Sequence, residues 1–281
     1  MSVGSAALAY DERRLCALAR DEVDPTARFT ELVTGPEADL PLDEAAFWLG
    51  AHARPDLDVA AQLGRLDALA DDCQGPKVED LIVALFTRYG LRGDRRRYAD
   101  PRNSYLHEVL DRRVGIPISL AVVTIEVGRR IGLHLEGVGM PGHFLVGGGH
   151  GGYIDVFGGG GLIEAGGCRA IHRRLFGPDE PWSDDFLAPT GPRDILARML
   201  ANLTNSFRAL EQHAGREWVA RLRAALPDRP AREDLELAGE LEDLGHFDRA
   251  ASRLEQLAEG SADDVETSER LHGRALRLRA R

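Results

Sequence analysis

From Ile118 to Ile131 the chain reads ISLAVVTIEVGRRI, apolar around most of a helical circumference. A surface helix keeps a polar face, so a segment without one has to be covered on all sides. The run predicts a central, deeply buried helix, and the rest of the chain must supply its cover. Pro117 suits the first turn, where its missing N–H would have no intrahelical partner. Arg129 and Arg130 put cations near the negative end of the dipole, and Gly132 is free to turn left-handed beyond them. Residues 135–140 (LEGVGM), 143–147 (HFLVG) and Tyr153 to Phe157 then read as β segments. Gly147 to Gly152 reads as a hairpin turn between two of them, and Gly158 to Gly161 as a loop leaving the last. This order places His143 and Asp155 on neighbouring strands behind the buried helix.

The flanks are helical. Leu8 to Leu18 and Ala27 to Leu32 read as short helices on either side of Asp24-Pro25. Pro41 starts another, with Asp43 and Glu44 in its first turn. Leu57, Ala60, Ala61, Leu63, Leu66 and Leu69 recur at helical spacing, and Val78 to Tyr89 is a further apolar helix ended by Gly90. Residues 91–103 are polar and carry Arg92, Arg95, Arg96 and Arg97. They read as a solvated connection, with an anion-binding lip as the alternative. Residues 165–193 hold Gly166-Gly167, Gly177-Pro178, Glu180-Pro181, Pro189 and Gly191-Pro192 and read as irregular. Helices return from Ile195 to His213 and from Trp218 to Leu226. Two more flank Leu244-Gly245-His246-Phe247, with Ala250 placed for close approach, as in a tetratricopeptide unit. The chain closes on a basic amphipathic helix. The expected organisation is a helical cap over residues 1–90, a core over 91–190 and a helical repeat-like tail over 191–281.

Four sets of residues carry a family resemblance: Asn103-Ser104-Tyr105-Leu106, Gly115-Ile116-Pro117-Ile118-Ser119-Leu120, Pro141-Gly142-His143-Phe144-Leu145 and Asp155-Val156-Phe157. Together they resemble the transglutaminase-like core, a papain-like cysteine-hydrolase architecture, and more closely the SirB-type proteins of bacteria, which join such a core to a tetratricopeptide tail. The resemblance implies an α+β fold in which a buried helix packs on a small antiparallel sheet. It also implies a site in which a Cys at the helix N-terminus faces a His and an Asp on adjacent strands. His143 and Asp155 match the second and third members. The first is missing, because Gly115 to Ser119 contains no Cys, and Cys16, Cys73 and Cys168 fall in other elements.

A thiolate nucleophile needs a helix N-terminus and an adjacent His to lower its pKa, and that His needs a third group to set its tautomer. Ser119 is the one hydroxyl at the right place. In a first turn it more often satisfies a free backbone N–H than attacks a substrate. The candidate catalytic residues are therefore His143, Asp155 and Ser119. Asn103, Pro117 and Gly142, which fall in the shared words, are candidates for lining a groove. The favoured expectation is a transglutaminase-like pseudoenzyme that binds a protein or peptide partner. The second is an acyl-transfer or amide-hydrolysing enzyme in which His143 activates Ser119 or a water.

Other classes fit less well. Gly137-x-Gly139-x-x-Gly142 and Gly147-x-Gly149-x-x-Gly152 spell the dinucleotide fingerprint, but strand-like sequence follows both where a helix is required, so no cofactor is expected. Cys168 and His172 lack a second pair to close a zinc site. A formal charge of −11 over 281 residues disfavours nucleic acid and anionic membranes. No apolar run is long enough to span a bilayer, and the first residues lack the form of a secretory signal. Three scattered cysteines suit a reducing cytoplasm.

Overall fold

The computed structural model describes residues 23–148, 151–260 and 264–281. The expected helix at Leu8 to Leu18 lies outside them. Two compact units divide at Asn202/Leu203.

In the first unit the apolar run is helix α6, Pro117–Arg130, with every residue from Pro117 to Gly128 buried. Its end is a full Schellman closure. The Leu133 N–H donates to Gly128 O (2.9 Å), the Gly132 N–H donates to Arg129 O (3.1 Å), and Gly132 holds φ +83. Among the described residues five α-helices precede α6: α1 (Pro25–Thr34), α2 (Leu42–Ala51), α3 (Val59–Asp71), α4 (Val78–Ile82) and α5 (Leu106–Arg112). Helix α4 runs on into a π-helical stretch, Val83–Arg88, which ends before Gly90 at φ +84. Asp24 and Asp58 cap α1 and α3, accepting from Thr26 N–H (3.0 Å) and Ala61 N–H (2.9 Å). Helices α2 to α5 all pack on α6.

The arginine-rich segment is more ordered than its composition suggests. Arg92–Gly93 forms strand β1, parallel to β2 (Val114–Gly115), with Gly93 opposite Gly115. Strands β3 (Leu135–Val138), β4 (Leu145–Gly148), β5 (Tyr153–Asp155), β6 (Gly161–Ile163) and β7 (Pro189–Thr190) form an antiparallel sheet in the order β6-β5-β4-β3-β7. Alternation along β4 and β5 buries Phe144, Val146 and Ile154 on one face and Leu145 on the other. Strands β3 and β4 pack on α6. Gly128 permits the close approach of helix and sheet, since a Cβ there would lie 2.6 Å from the Leu135 side chain.

Residues 165–193, read above as irregular, begin instead with a twelve-residue helix, α7 (Ala165–Phe176). Gly166 and Gly167 sit in its first turn, where they resemble breakers. The segment is held by burial of Cys168, Ile171 and His172, with Val138, Met140 and Leu145 in the same apolar cluster as Cys168 and Ile171. Tertiary contact outweighs the weak propensity.

Helix α8, Pro192–Ala209, spans the division between the units. The second unit continues as α9 (His213–Ala225), α10 (Ala231–Asp243), α11 (Phe247–Gly260) and α12 (Val265–Arg279). Leu237, Leu241, Ala250, Ala251, Leu254, Leu271 and Leu278 form its core. Gly245 turns between α10 and α11 at φ +81, and Glu240 is buried against Arg208 and Arg216.

Candidate functional site

His143 and Asp155 meet. His143 Nε2 lies 2.9 Å from Asp155 Oδ1. The contact follows from register. Val146 pairs with Ile154, so Asp155 falls opposite Leu145, and His143, two residues earlier, takes the diagonal position on the same face. The sequence placed both residues on strands. Asp155 does end β5, but His143 precedes β4 in a turn closed by its own N–H donating to Met140 O (3.1 Å), with Gly142 at φ +67. Strand β5 stops before Val156 because the Gly158 N–H turns back to donate to Asp155 Oδ1 (2.9 Å). Burial works to raise the Asp155 pKa. The bonds from His143 and from the Gly158 and Phe157 N–H groups outweigh it and hold the carboxyl below the usual range. An ionised Asp155 can only accept, so Nε2 is the donor, and in a neutral imidazole Nδ1 carries the lone pair. That nitrogen has no hydrogen-bond partner among the described residues. The side chains of the pair are 9% and 18% exposed, so the pair is reached from outside without being flooded.

Ser119 and Asn103 meet elsewhere. Ser119 is wholly buried, and its Oγ donates to Asn103 O (2.6 Å) and accepts from the Ile116 N–H (3.2 Å). As the third residue of α6 it caps the residue before the helix, which is half of a capping box. The Asn103 side chain donates to Arg97 O (2.7 Å) and accepts from Arg112. Pro117 opens α6 and is buried with Ile116 and Ile118. These residues are the joint between the arginine loop, α5 and α6. No hydrogen bond among the described residues links them to His143 or Asp155.

Phe157 reaches from the pair toward the arginine loop. Its ring packs edge-on to His143 (centroids 6.1 Å apart) and to Tyr98 (6.0 Å), and Arg95 reaches over it at 5.1 Å. The ring also presses on Gly93, where a side chain would overlap it, and Gly93 is the strand partner of Gly115 just before α6. An aromatic contact therefore runs from the His–Asp pair to the strands that lead into the helix. Tyr98 and Arg95 were hidden in a loop that reads as solvated; the signal was an aromatic residue set among arginines. Gly142, on the other side, touches Phe176 and Leu175 at the end of α7, the segment read as irregular. Neither described cysteine supplies the missing group. Cys168 is fully buried, and burial, with the charge of Asp155 adding to it, pushes its thiol up to about 11. Cys73 is also raised, chiefly by burial.

A buried helix against a small antiparallel sheet, with a paired His and Asp at the sheet's end, defines a transglutaminase-like α+β protein. The chain belongs to the transglutaminase-like superfamily, whose family model matches residues 51–201, and the SirB-type resemblance read in the sequence is to this group. It is similar to a UPF0162 protein of Xylella fastidiosa (36% identical over 194 residues, 64% of this chain and 69% of the relative). A UPF0162 protein of Pseudomonas aeruginosa is 32% identical over 188 residues, 64% of this chain and 68% of that one. The mouse F-box only protein 21 is 35% identical over 89 residues, 31% of this chain but 14% of the relative. Comparison with solved structures gives no match. Among the described residues no helix is long and apolar enough to cross a membrane.

Proposed function

We propose that this protein is a transglutaminase-like pseudoenzyme that binds a protein or peptide segment over His143 and Asp155. The observation that carries the reading is the state of Ser119. It is the one hydroxyl at the start of α6, and it is sealed from solvent with its oxygen engaged both as donor and as acceptor. A serine without a base at hand is a poor nucleophile, and His143 is bonded to Asp155 rather than to it. The pair keeps a lone pair and a carboxylate at a partly open surface, which suits holding a backbone N–H and an extended segment. Helices α10 to α12, with Gly245 at the turn and Ala250 and Ala251 buried beside it, support a tetratricopeptide-like tail as a second partner surface. The acidic balance of the chain favours a protein partner over nucleic acid or membrane, and its scattered cysteines favour the cytoplasm.

One observation favours an enzyme instead. His143 Nδ1 has no hydrogen-bond partner among the described residues, so it could take a proton from a water attacking an amide. The two readings part in a turnover assay. The protein is incubated with a glutamine peptide and a fluorescent amine, and separately with a fluorogenic peptide amide. The binding reading expects no product above that of His143→Ala. Product formation that His143→Ala lowers by roughly 10²–10⁴-fold would establish the enzyme.

A further inference from the structure

We propose that the surface around His143 takes an acidic peptide segment carrying an apolar side chain, held by the arginine loop and the end of α7; this rests on the peptide-binding reading above. The first support is uncompensated charge. Arg92, Arg95, Arg96 and Arg97 are exposed, and none has an acidic partner among the described residues, although the chain as a whole carries −11. The loop's two acids are already in use, Asp100 in an ion pair with Arg102 (2.7 Å). Asp94 Oδ1 accepts from the Arg96 N–H (3.1 Å) and the Arg97 N–H (2.9 Å) and shapes the turn. Several arginines elsewhere are matched: Arg28 to Glu44, Arg130 to Asp43 and Asp67, Arg216 to Glu240, Arg279 to Glu255. The loop thus carries four exposed arginines without acidic partners among the described residues, on an acidic protein.

The loop adjoins the His–Asp pair. Arg95 lies over the Phe157 ring, the ring lies against His143, and Tyr98 stands half exposed beside it. Across His143, Leu175 and Phe176 touch Gly142 and are each 48% exposed, with Arg173 and Arg174 one turn back, exposed and without acidic partners among the described residues. A ligand that spans the pair meets cations on both sides, aromatic rings on one and an aliphatic–aromatic lip on the other. Carboxylates suit the guanidinium groups, and an apolar side chain covers Leu175 and Phe176. A nucleic acid would meet the same cations but leave that lip uncovered, and it would be repelled by the rest of the surface.

The test is fluorescence anisotropy with three labelled decapeptides of equal leucine content, in which the remaining residues are Glu, Ser or Lys. We expect the Glu peptide to bind at least tenfold more tightly than the Lys peptide, with affinity falling as salt rises. The triple variant R95A/R96A/R97A should bind the Glu peptide roughly tenfold more weakly, the scale of three screened ionic contacts. The charge-matched control R54A/K77A/R221A, three exposed cations outside the loop, α7 and helices α10 to α12, should bind as wild type. Circular dichroism checks that both variants stay folded. Equal affinity for Glu and Lys peptides, an equal loss in the control, or tighter binding of a single-stranded oligonucleotide of matched charge would overturn the proposal. If the Ser peptide binds and only the charge preference is absent, this inference falls and peptide binding stands. If no peptide binds, both fall.

Discussion

The first unit brings polar side chains together at two places close to the start of α6, and they are built in opposite ways. At Ser119 and Asn103 everything is inside, each polar atom is spent on a backbone or side-chain partner, and the result is a joint. At His143 and Asp155 one bond is made, one imidazole nitrogen is left over, and solvent reaches the edge. A papain-like site would need these two places to be one, with a nucleophile from the first facing the base at the second. Here the Phe157 ring packs on His143 and on Gly93, the strand partner of Gly115, and no hydrogen bond among the described residues joins the two places. Residue type alone does not make a site. A serine and an asparagine that look catalytic in sequence serve the fold, while the histidine and aspartate keep the capacity for function.

Stability should break the comparison open first. Asn103→Ala removes a buried side chain that both donates and accepts, and should cost roughly 2–4 kcal/mol. Ser119→Ala leaves the Ile116 N–H and Asn103 O without their partner and should cost about 1–3 kcal/mol. His143→Ala, at the partly open pair, should cost less than either. Thermal or urea unfolding of the three variants ranks them. A histidine variant that destabilises more than the asparagine one would make the His–Asp pair the structural joint and reverse the argument.

A smaller effect comes from pH and contrasts Asp155 with Glu126, near the far end of α6. Burial first, then the nearby charge of Asp43, pushes Glu126 from its ordinary 4.5 up to about 7, against the pull of Arg129 and Arg130. Between those values the folded protein holds a proton that the unfolded chain has released, so stability should fall as pH rises through that window. Asp155 has the opposite sign. Its folded pKa lies below the ordinary 3.8, so its contribution is present above that value and is lost as pH falls through the folded one. Melting temperature followed over roughly pH 3–8 should show the neutral-side decline vanish in Glu126→Gln and the acid-side loss shrink in Asp155→Asn. A decline that persists in Glu126→Gln would move its origin elsewhere.

Much of this was legible. The buried helix declared itself by its unbroken apolar circumference and by Pro117 and Gly132 at its ends. The hairpin that pairs His143 with Asp155 followed from alternation and a glycine turn. What escaped reading depends on packing. Helix α7 starts with two glycines and is held by what Cys168 and Ile171 touch. The contact at Phe157 exists because Gly93, far away in sequence, leaves room for a ring. The role of Tyr98 and Arg95 depends on that ring in turn. Contacts between segments distant in sequence have no local signature, so the candidate pair could be named and its surroundings could not.

The account stands most directly on whether the start of α6 holds a working nucleophile. Native protein is treated with a fluorophosphonate and with a chloroacetamide, and the modified residues are located by peptide mass spectrometry, alongside His143→Ala. The account predicts that Ser119 stays unmodified in both proteins under native conditions. A covalent adduct on Ser119 that disappears in His143→Ala would contradict it, since only a serine activated by that histidine could form one.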